Sequence, residues 1–147
     1  MEVRGVAESK RRQRTGLRRR IFTLEHANRA LPLVSRIVND IVQQHKRVTA
    51  LEAHCEVADP SLSSEAVQAQ RNLYAAEIDK LRELARELTD IGVELKDWRR
   101  GLVDFLSLRQ GREVYLCWRL GEEHVEYWHD LEAGFPGRQP IDESFAP

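Results

Sequence analysis

Apolar residues recur at intervals of three and four positions along the segment that follows residue 30, and this spacing predicts a helix. The hydroxyl of Thr23 can cap its N-terminus, and Glu25 in the first turn suits the positive end of the helix dipole. Pro32 removes one helical hydrogen bond, so we expect a kink or a short break near Leu31. The helix should end around residues 58–60. Its apolar stripe includes Val34, Val38, Ile41, Val48 and Cys55.

A second segment has the same helical spacing. Residues 61–64 are serine-rich and can cap its N-terminus, and Gly92 suits the left-handed residue that ends a helix. Because the link between the two segments is short, the two helices should lie antiparallel with their apolar stripes facing each other. The second stripe includes Tyr74, Ile78, Leu81, Ala85 and Leu88.

After Gly92 the apolar and polar residues alternate with a period of two, which is typical of β-strands. From Leu131 onward, glycines and prolines exclude regular structure. The pattern therefore predicts an α+β fold, in which a long antiparallel helical hairpin is followed by a small antiparallel β-sheet with a Gly/Pro-rich C-terminal loop. The predicted strands cover residues 93–97, 101–105, 113–120 and 124–129, with a turn at residues 121–123.

Composition and charge divide the chain into three parts. Residues 1–20 contain eight basic and two acidic residues, a net charge of +6, and almost no apolar residues, so we expect a basic disordered tail. The remainder contains 15 basic and 22 acidic residues, a net charge of −7. Residues 21–141 should form a single α+β domain, with a loose C-terminal end over residues 142–147. We expect no nucleic-acid binding beyond weak contacts through the tail.

The chain has features typical of a cytoplasmic protein. No stretch approaches ~20 consecutive apolar residues, so we expect no membrane-spanning helix. Cys55 and Cys117 form no CxxC pair and lack the spacing of a zinc ribbon. Free thiols in a reducing compartment are the simplest interpretation of these two cysteines.

The last two predicted strands form a hairpin with different chemistry on its two faces. With a turn over residues 121–123, paired residue numbers sum to 244, so Cys117 lies opposite Tyr127 and Tyr115 lies opposite His129. The first face should pack on the helices and carries Val114, Leu116, Trp118, Leu120 and Trp128. The second face carries Glu113, Tyr115, Cys117, Arg119, Tyr127 and His129.

The second face suggests a metal site. Cys117 and His129 would be diagonal neighbours with Cβ atoms about 7 Å apart, a separation that a metal ion can bridge. Asp104, Glu113 or Asp97 would add a carboxylate oxygen. A thiolate, an imidazole and carboxylates suit zinc, or else iron, and an open position on the metal would allow hydrolysis. In the alternative interpretation, Cys117 is a buried apolar residue and His129 bonds across the strand.

Two non-catalytic hypotheses remain open. The first is a ligand-binding module in which four cations and the backbone N–H groups of residues 134–137 hold an anion. The same cations could instead pair with carboxylates of the acidic part of the chain that follows residue 20. The second is an interaction protein that forms a homodimer through the helical hairpin, unless the sheet covers the apolar stripe within one chain. The four cations are Lys96, Arg112, Arg119 and Arg138.

Seven stretches carry a family resemblance: Phe22–Asn28, Leu95–Asp97, Gly101–Phe105, Gly111–Trp118, Gly121–Glu122, Trp128–His129 and Gly134–Pro140. Together they resemble a bacterial family named domain of unknown function 2203. The resemblance covers about residues 22–141 and leaves out the basic tail. In the first motif, this chain has His26 where the family has an acidic residue. The resemblance implies a small intracellular domain and no particular reaction.

Overall fold

The two predicted helices are present and form a hairpin. In the computed structural model, which describes residues 20–57 and 59–145, helix α1 is Leu24–Glu56 and helix α2 is Ser64–Ile91. A five-stranded antiparallel sheet follows, with its strands in chain order. The predicted α+β fold is therefore confirmed. The predicted basic tail lies outside the described residues, except for its last residue.

Helix α1 begins as predicted but is not interrupted. The hydroxyl of Thr23 accepts a hydrogen bond from the backbone N–H of His26 at 3.1 Å and caps the helix. Of the kink or short break expected near Leu31, the break is absent, because one α-helix continues through Pro32. Pro32 lies on the exposed side of α1, while the apolar stripe on the other side is buried. Burial of that stripe outweighs the single hydrogen bond that the proline removes.

Helix α2 has the predicted caps at both ends. The hydroxyl of Ser63 accepts a hydrogen bond from the backbone N–H of Ala66 at 3.2 Å. Gly92 has φ 93° and donates its N–H to the carbonyls of Leu88 and Thr89, as the left-handed end of a helix requires. Within the described residues, no helix is long and apolar enough to cross a membrane.

The sheet contains the predicted hairpin in the predicted register. Cys117 pairs with Tyr127 and Tyr115 with His129. However, β4 is shorter than predicted and begins at Tyr127, so the β3–β4 connection covers residues 120–126. The backbone N–H of Val125 donates to the side-chain oxygen of Asn28 on α1 at 2.7 Å and is therefore not available to β3. The strands are β1 Glu94–Asp97, β2 Leu102–Arg109, β3 Arg112–Arg119, β4 Tyr127–Asp130 and β5 Gln139–Pro140.

One face of the sheet packs against the helices and forms the core, as predicted. Its buried side chains join those of α1 and α2 in one apolar cluster, with Leu120 half-buried beside it. Gly101 marks the closest approach of the β1–β2 turn to α1. It has φ 69°, and an added Cβ would lie 2.9 Å from Val38. This packing leaves the second face of the sheet on the side away from the helices. The sheet residues in the cluster are Val103, Phe105, Val114, Leu116, Trp118 and Trp128.

The Gly/Pro-rich segment after β4 folds back along the sheet. The prediction that no regular structure follows Leu131 is wrong, because this segment contains one turn of 3-10 helix at Phe135–Gly137 and then β5, which pairs with β4. The sequence predicts a loose end from residue 142, but Glu143–Phe145 form a second 3-10 turn. The ring of Phe145 lies 5.8 Å from that of Trp128 and packs, partly buried, against the apolar cluster.

Candidate metal centre

Three side chains with metal-binding chemistry meet on the second face of the sheet. Asp104 comes from β2, Cys117 from β3 and His129 from β4, and their ligand atoms all lie within 4.8 Å of one another. Their exposed fractions are 2%, 0% and 2% respectively. The structure therefore brings together three of the four predicted metal ligands in one buried group, which we call the DCH group.

Asp104 reaches the DCH group because of the tight turn between β2 and β3. Gln110 and Gly111 both have positive φ, 51° and 78°, which is typical of a two-residue type I′ turn. With this turn, Asp104 pairs directly with Cys117. The Gln-Gly pair between two apolar strands is the sequence signal that specifies this register.

The hydrogen bonds of His129 define the state of its ring. Nδ1 lies 2.8 Å from the backbone carbonyl of Asp130, an acceptor, so Nδ1 carries a proton. Nε2 lies 3.0 Å from both carboxylate oxygens of Asp104. A neutral ring would then direct a lone pair at a carboxylate. Opposite a charged Asp104, Nε2 therefore carries the second proton of the ring, unless the two groups share a cation.

In the metal-free state, His129 and Asp104 form a buried ion pair. Burial lowers the pKa of His129, but the hydrogen bonds to Asp104 and to the carbonyl of Asp130 outweigh burial, and the carboxylate charge adds to them. The pKa of His129 is therefore raised above its ordinary value of 6.5. The charge of Lys96 acts in the opposite direction.

Cys117 is a protonated thiol in the same state. Burial raises the pKa of Cys117 to about 12, and the negative charge of Asp104 contributes further. The positive charge of Arg138 lowers the pKa of the thiol, with an effect larger than the opposite effect of Glu122. At a pH below the raised pKa of His129, a charged Asp104, the imidazolium and the thiol would together have no net charge.

Aromatic and cationic side chains surround the DCH group. On one side, the ring of Tyr115 lies 5.5 Å from that of His129, and Nζ of Lys96 lies 5.0 Å from the Tyr115 ring centre. On the other side, the guanidinium of Arg138 lies 3.9 Å from the ring centre of Tyr127. The partly exposed side chains of Tyr115 and Tyr127 lie beside the buried DCH group and form part of its cover.

Arg138 is held in place by a carboxylate that the sequence analysis did not assign to the site. Nη2 lies 2.8 Å from both oxygens of Glu122, in the β3–β4 connection. Glu122 is itself fixed, because its backbone carbonyl accepts from the indole N–H of Trp118 at 3.1 Å. The Arg138 side chain is 14% exposed and also lies over the ring of Phe135. Neither Glu122 nor Phe135 carries a sequence signal for this contact.

The other predicted site residues lie outside the DCH group. Glu113 is four residues from Cys117 along β3, about 13 Å away at the rise of a strand, and is not among the grouped ligands. Arg112 pairs with Asp130 at 3.0 Å, and Arg119 lies at the opposite end of β3. One small anion therefore cannot contact both arginines.

Two other predicted polar residues form local ion pairs. Lys96 pairs with Glu94 at 3.4 Å, and both side chains are about 40% exposed. The predicted alternative oxygen ligand, Asp97, accepts from the backbone N–H groups of Arg99 and Arg100 and so closes the β1–β2 turn. Of the four predicted anion-binding cations, Lys96 and Arg138 are those that act electrostatically on the DCH group.

The spacing of the DCH group fits a tetrahedral metal ion. With metal–ligand distances of about 2.0–2.3 Å, ligand atoms around tetrahedral zinc lie about 3.3–3.6 Å apart. The two Nε2–oxygen distances, 3.0 Å, and the 4.8 Å limit for the group bracket that range. The bond from Nδ1 of His129 to a backbone carbonyl is the usual outer contact of a metal-binding imidazole. The group could therefore hold a metal with small side-chain movements.

Comparison with known proteins identifies one family. Residues 20–141 match the family described as "Uncharacterized conserved protein (DUF2203)". This range contains the whole helical hairpin, all five strands and the DCH group. No curated protein and no solved structure is significantly similar to the chain.

Proposed function

The chain belongs to this DUF2203 family, and from the geometry of the DCH group we propose that it is a metal-binding protein. The observation that carries the proposal is the meeting of Asp104, Cys117 and His129, with all ligand atoms within 4.8 Å. Three different strands contribute one ligand each, so the register of the sheet builds the site. The Nε2 lone pair of a neutral His129 would then face the metal and not a bare carboxylate.

Zinc is the metal that suits this donor set best, with iron as the second choice. Zinc accepts thiolate, imidazole and carboxylate ligands together, and the soft thiolate of Cys117 disfavours magnesium and calcium. Metal binding would replace the protons of His129 and Cys117 with a divalent ion. The net charge of the buried group would therefore not change, which removes one large electrostatic penalty for a buried ion.

Hydrolysis is the reaction that such a centre could support. Three protein ligands leave a fourth position on a tetrahedral metal, and catalytic zinc sites share this feature. A water molecule at that position would be activated by the metal. Because the DCH group is buried, water would reach it only after movement of the surrounding side chains.

Cobalt titration of the metal-free protein tests the proposal. Co²⁺ bound tetrahedrally by a thiolate gives characteristic visible and near-ultraviolet absorption, and we expect saturation at one equivalent. Cys117→Ser should abolish the thiolate band and His129→Gln should weaken binding at least about tenfold, as loss of a ligand from a small site implies.

Two surface substitutions provide matched controls for the cobalt titration. Cys55→Ser and His124→Gln change the same residue types at exposed positions outside the DCH group. We expect both to titrate like the wild type. Saturation that persists unchanged in Cys117→Ser and His129→Gln would contradict the proposal.

A second proposal concerns self-association through the helical hairpin. The buried residues of α1 end at Val48 and those of α2 begin at Glu77, so the distal part of the hairpin is largely exposed. Leu73, in this part, is 50% exposed. We expect a dimer in sedimentation equilibrium and a monomer after Leu73→Glu, whereas a wild-type monomer would contradict the proposal.

We also propose a cytoplasmic location. Cys55 and Cys117 are both free, and one of them is exposed. Exposed free thiols persist in reducing compartments. Subcellular fractionation tests the proposal, and recovery of the native protein outside the cytoplasm would contradict it.

A further inference from the structure

We propose that the metal centre binds a small oxyanion, a phosphate or a carboxylate, at the fourth position of the metal, between Arg138 and Lys96. This inference rests on the proposed metal site and names the class of its exogenous ligand. The shared chemistry of the two candidate ligands is a negatively charged oxygen.

The first observation is an unused donor on Arg138. Across residues 20–57 and 59–145, Nε of Arg138 is the one buried side-chain nitrogen or oxygen without a hydrogen-bond partner. Buried N–H groups without acceptors are rare, and each one calls for an explanation such as a ligand or an ordered water. The guanidinium is also fixed by Glu122 and by the ring of Tyr127. A rigid, unsatisfied donor is a suitable partner for an anionic oxygen.

The second observation places Arg138 next to the DCH group. The guanidinium of Arg138 lies 3.9 Å from the ring centre of Tyr127, and Tyr127 pairs directly with Cys117 across β3 and β4. Arg138 therefore lies over the cross-strand neighbour of one proposed metal ligand, which brings its positive charge close to the DCH group.

The third observation is a second cation on the other side. The ammonium of Lys96 lies 5.0 Å from the ring centre of Tyr115, and that ring lies 5.5 Å from the ring of His129. Two cations, Lys96 from β1 and Arg138 from the segment before β5, therefore lie near one buried group. A divalent metal held by one thiolate, one carboxylate and one neutral imidazole carries no net charge, so the flanking cations favour an anion as the fourth ligand.

The size of the ligand follows from the cover over the site. Lys96 is about 40% exposed, while Tyr115 and Tyr127 are partly exposed. The three ligand residues are at most 2% exposed, so the fourth position suits a small anionic group and not an extended polymer.

The test uses the full chain loaded with one equivalent of Co²⁺, titrated separately with inorganic phosphate and with acetate. We expect a saturable change in the visible cobalt spectrum with at least one of the two anions. A response to phosphate alone assigns the phosphate class, and a response to acetate alone assigns the carboxylate class.

Substitutions on the two sides of the site provide the comparison. Arg138→Gln and Lys96→Gln should each weaken anion binding, Arg138→Gln by about tenfold or more because a charge-assisted hydrogen bond is lost. Arg138→Lys should recover only part of the affinity, because it keeps the charge without the planar donor pair. Arg112→Gln is the matched control, since Arg112 pairs with exposed Asp130, and should bind like the wild type.

The outcomes separate this inference from the proposed function. Cobalt binding without any anion response, or equal anion affinity in Arg138→Gln and wild type, would overturn the oxyanion site and leave the metal site standing. Absence of cobalt binding would overturn both. If Arg138→Gln fails to fold by circular dichroism, Lys96→Gln decides the question, because its half-exposed side chain lies outside the apolar core.

Discussion

Removing the carboxylate of Asp104 tests whether a buried ion pair holds the metal-free site together. In Asp104→Ala, His129 loses its counter-ion while its Nε2 remains buried. Loss of one partner from a buried pair costs about 3–5 kcal/mol. The lower end of this range applies here, because His129 can release its proton and so avoid a buried, unpaired charge. We therefore expect the free energy of unfolding to fall by about 3 kcal/mol near pH 6.

The near-isosteric variant Asp104→Asn should be much less destabilised. Its amide N–H can donate to Nε2 of a neutral His129, so a neutral hydrogen bond replaces a charge-assisted one. These two kinds of bond differ by about 1 kcal/mol. The loss in Asp104→Asn should therefore be about 1 kcal/mol, and the difference between the two variants measures the hydrogen bond.

The pH dependence has a definite sign. The pKa of His129 is raised in the folded state, so the ion pair contributes fully below about pH 6.5 and its contribution is lost as pH rises through the folded-state pKa. The destabilisation by Asp104→Ala should therefore be larger at pH 6 than at pH 9. Urea denaturation in the presence of a chelator, followed by the fluorescence of buried Trp118 and Trp128, gives these values. Equal losses in both variants, or losses that do not change with pH, would refute the ion pair.

Three further predictions concern the core, the β3–β4 connection and metal binding. Gly101→Ala should cost about 2–4 kcal/mol, because the added Cβ would lie 2.8 Å from the nearest side-chain atom at φ 69°; an unchanged Tm in calorimetry would contradict this close approach. Asn28→Ala should cost about 1–3 kcal/mol and speed amide exchange at Val125, whose buried N–H would lose its acceptor; unaltered exchange would contradict this contact. At pH 6, metal binding should release about two protons per ion, one each from His129 and Cys117. Calorimetry in buffers of different ionisation enthalpy measures this release, and a value near zero would contradict the assigned protonation states.

The sequence was sufficient to predict the register that brings Cys117 and His129 to one face. Apolar side chains on alternate positions of β3 and β4 must all face the helices, and a shift by one residue would expose Trp118 and Trp128. The register is therefore the predicted one, although the connection between β3 and β4 is seven residues long and not three. The actual connection could not be predicted, because it depends on Asn28, which is 97 positions from Val125 in the chain.

Two other features depend on contacts between distant segments. The clamp on Arg138 consists of Glu122 and the rings of Tyr127 and Phe135, which come from three different segments after β3. No local pattern marks residues that meet only through tertiary packing. Likewise, Pro32 is tolerated within α1 because the opposite side of the helix is buried. Local helix propensity carries no information about this burial.

The metal content of the protein tests the central claim most directly. The untagged chain is purified without chelators or metal-affinity resin and analysed by plasma mass spectrometry beside Cys117→Ser, His129→Gln and the exposed control Cys55→Ser. We predict about one equivalent of zinc or iron in the wild type and the control, and its loss in both site variants, as a single three-ligand centre requires. Folded wild-type protein that contains no metal and takes up none when zinc is supplied would contradict the claim.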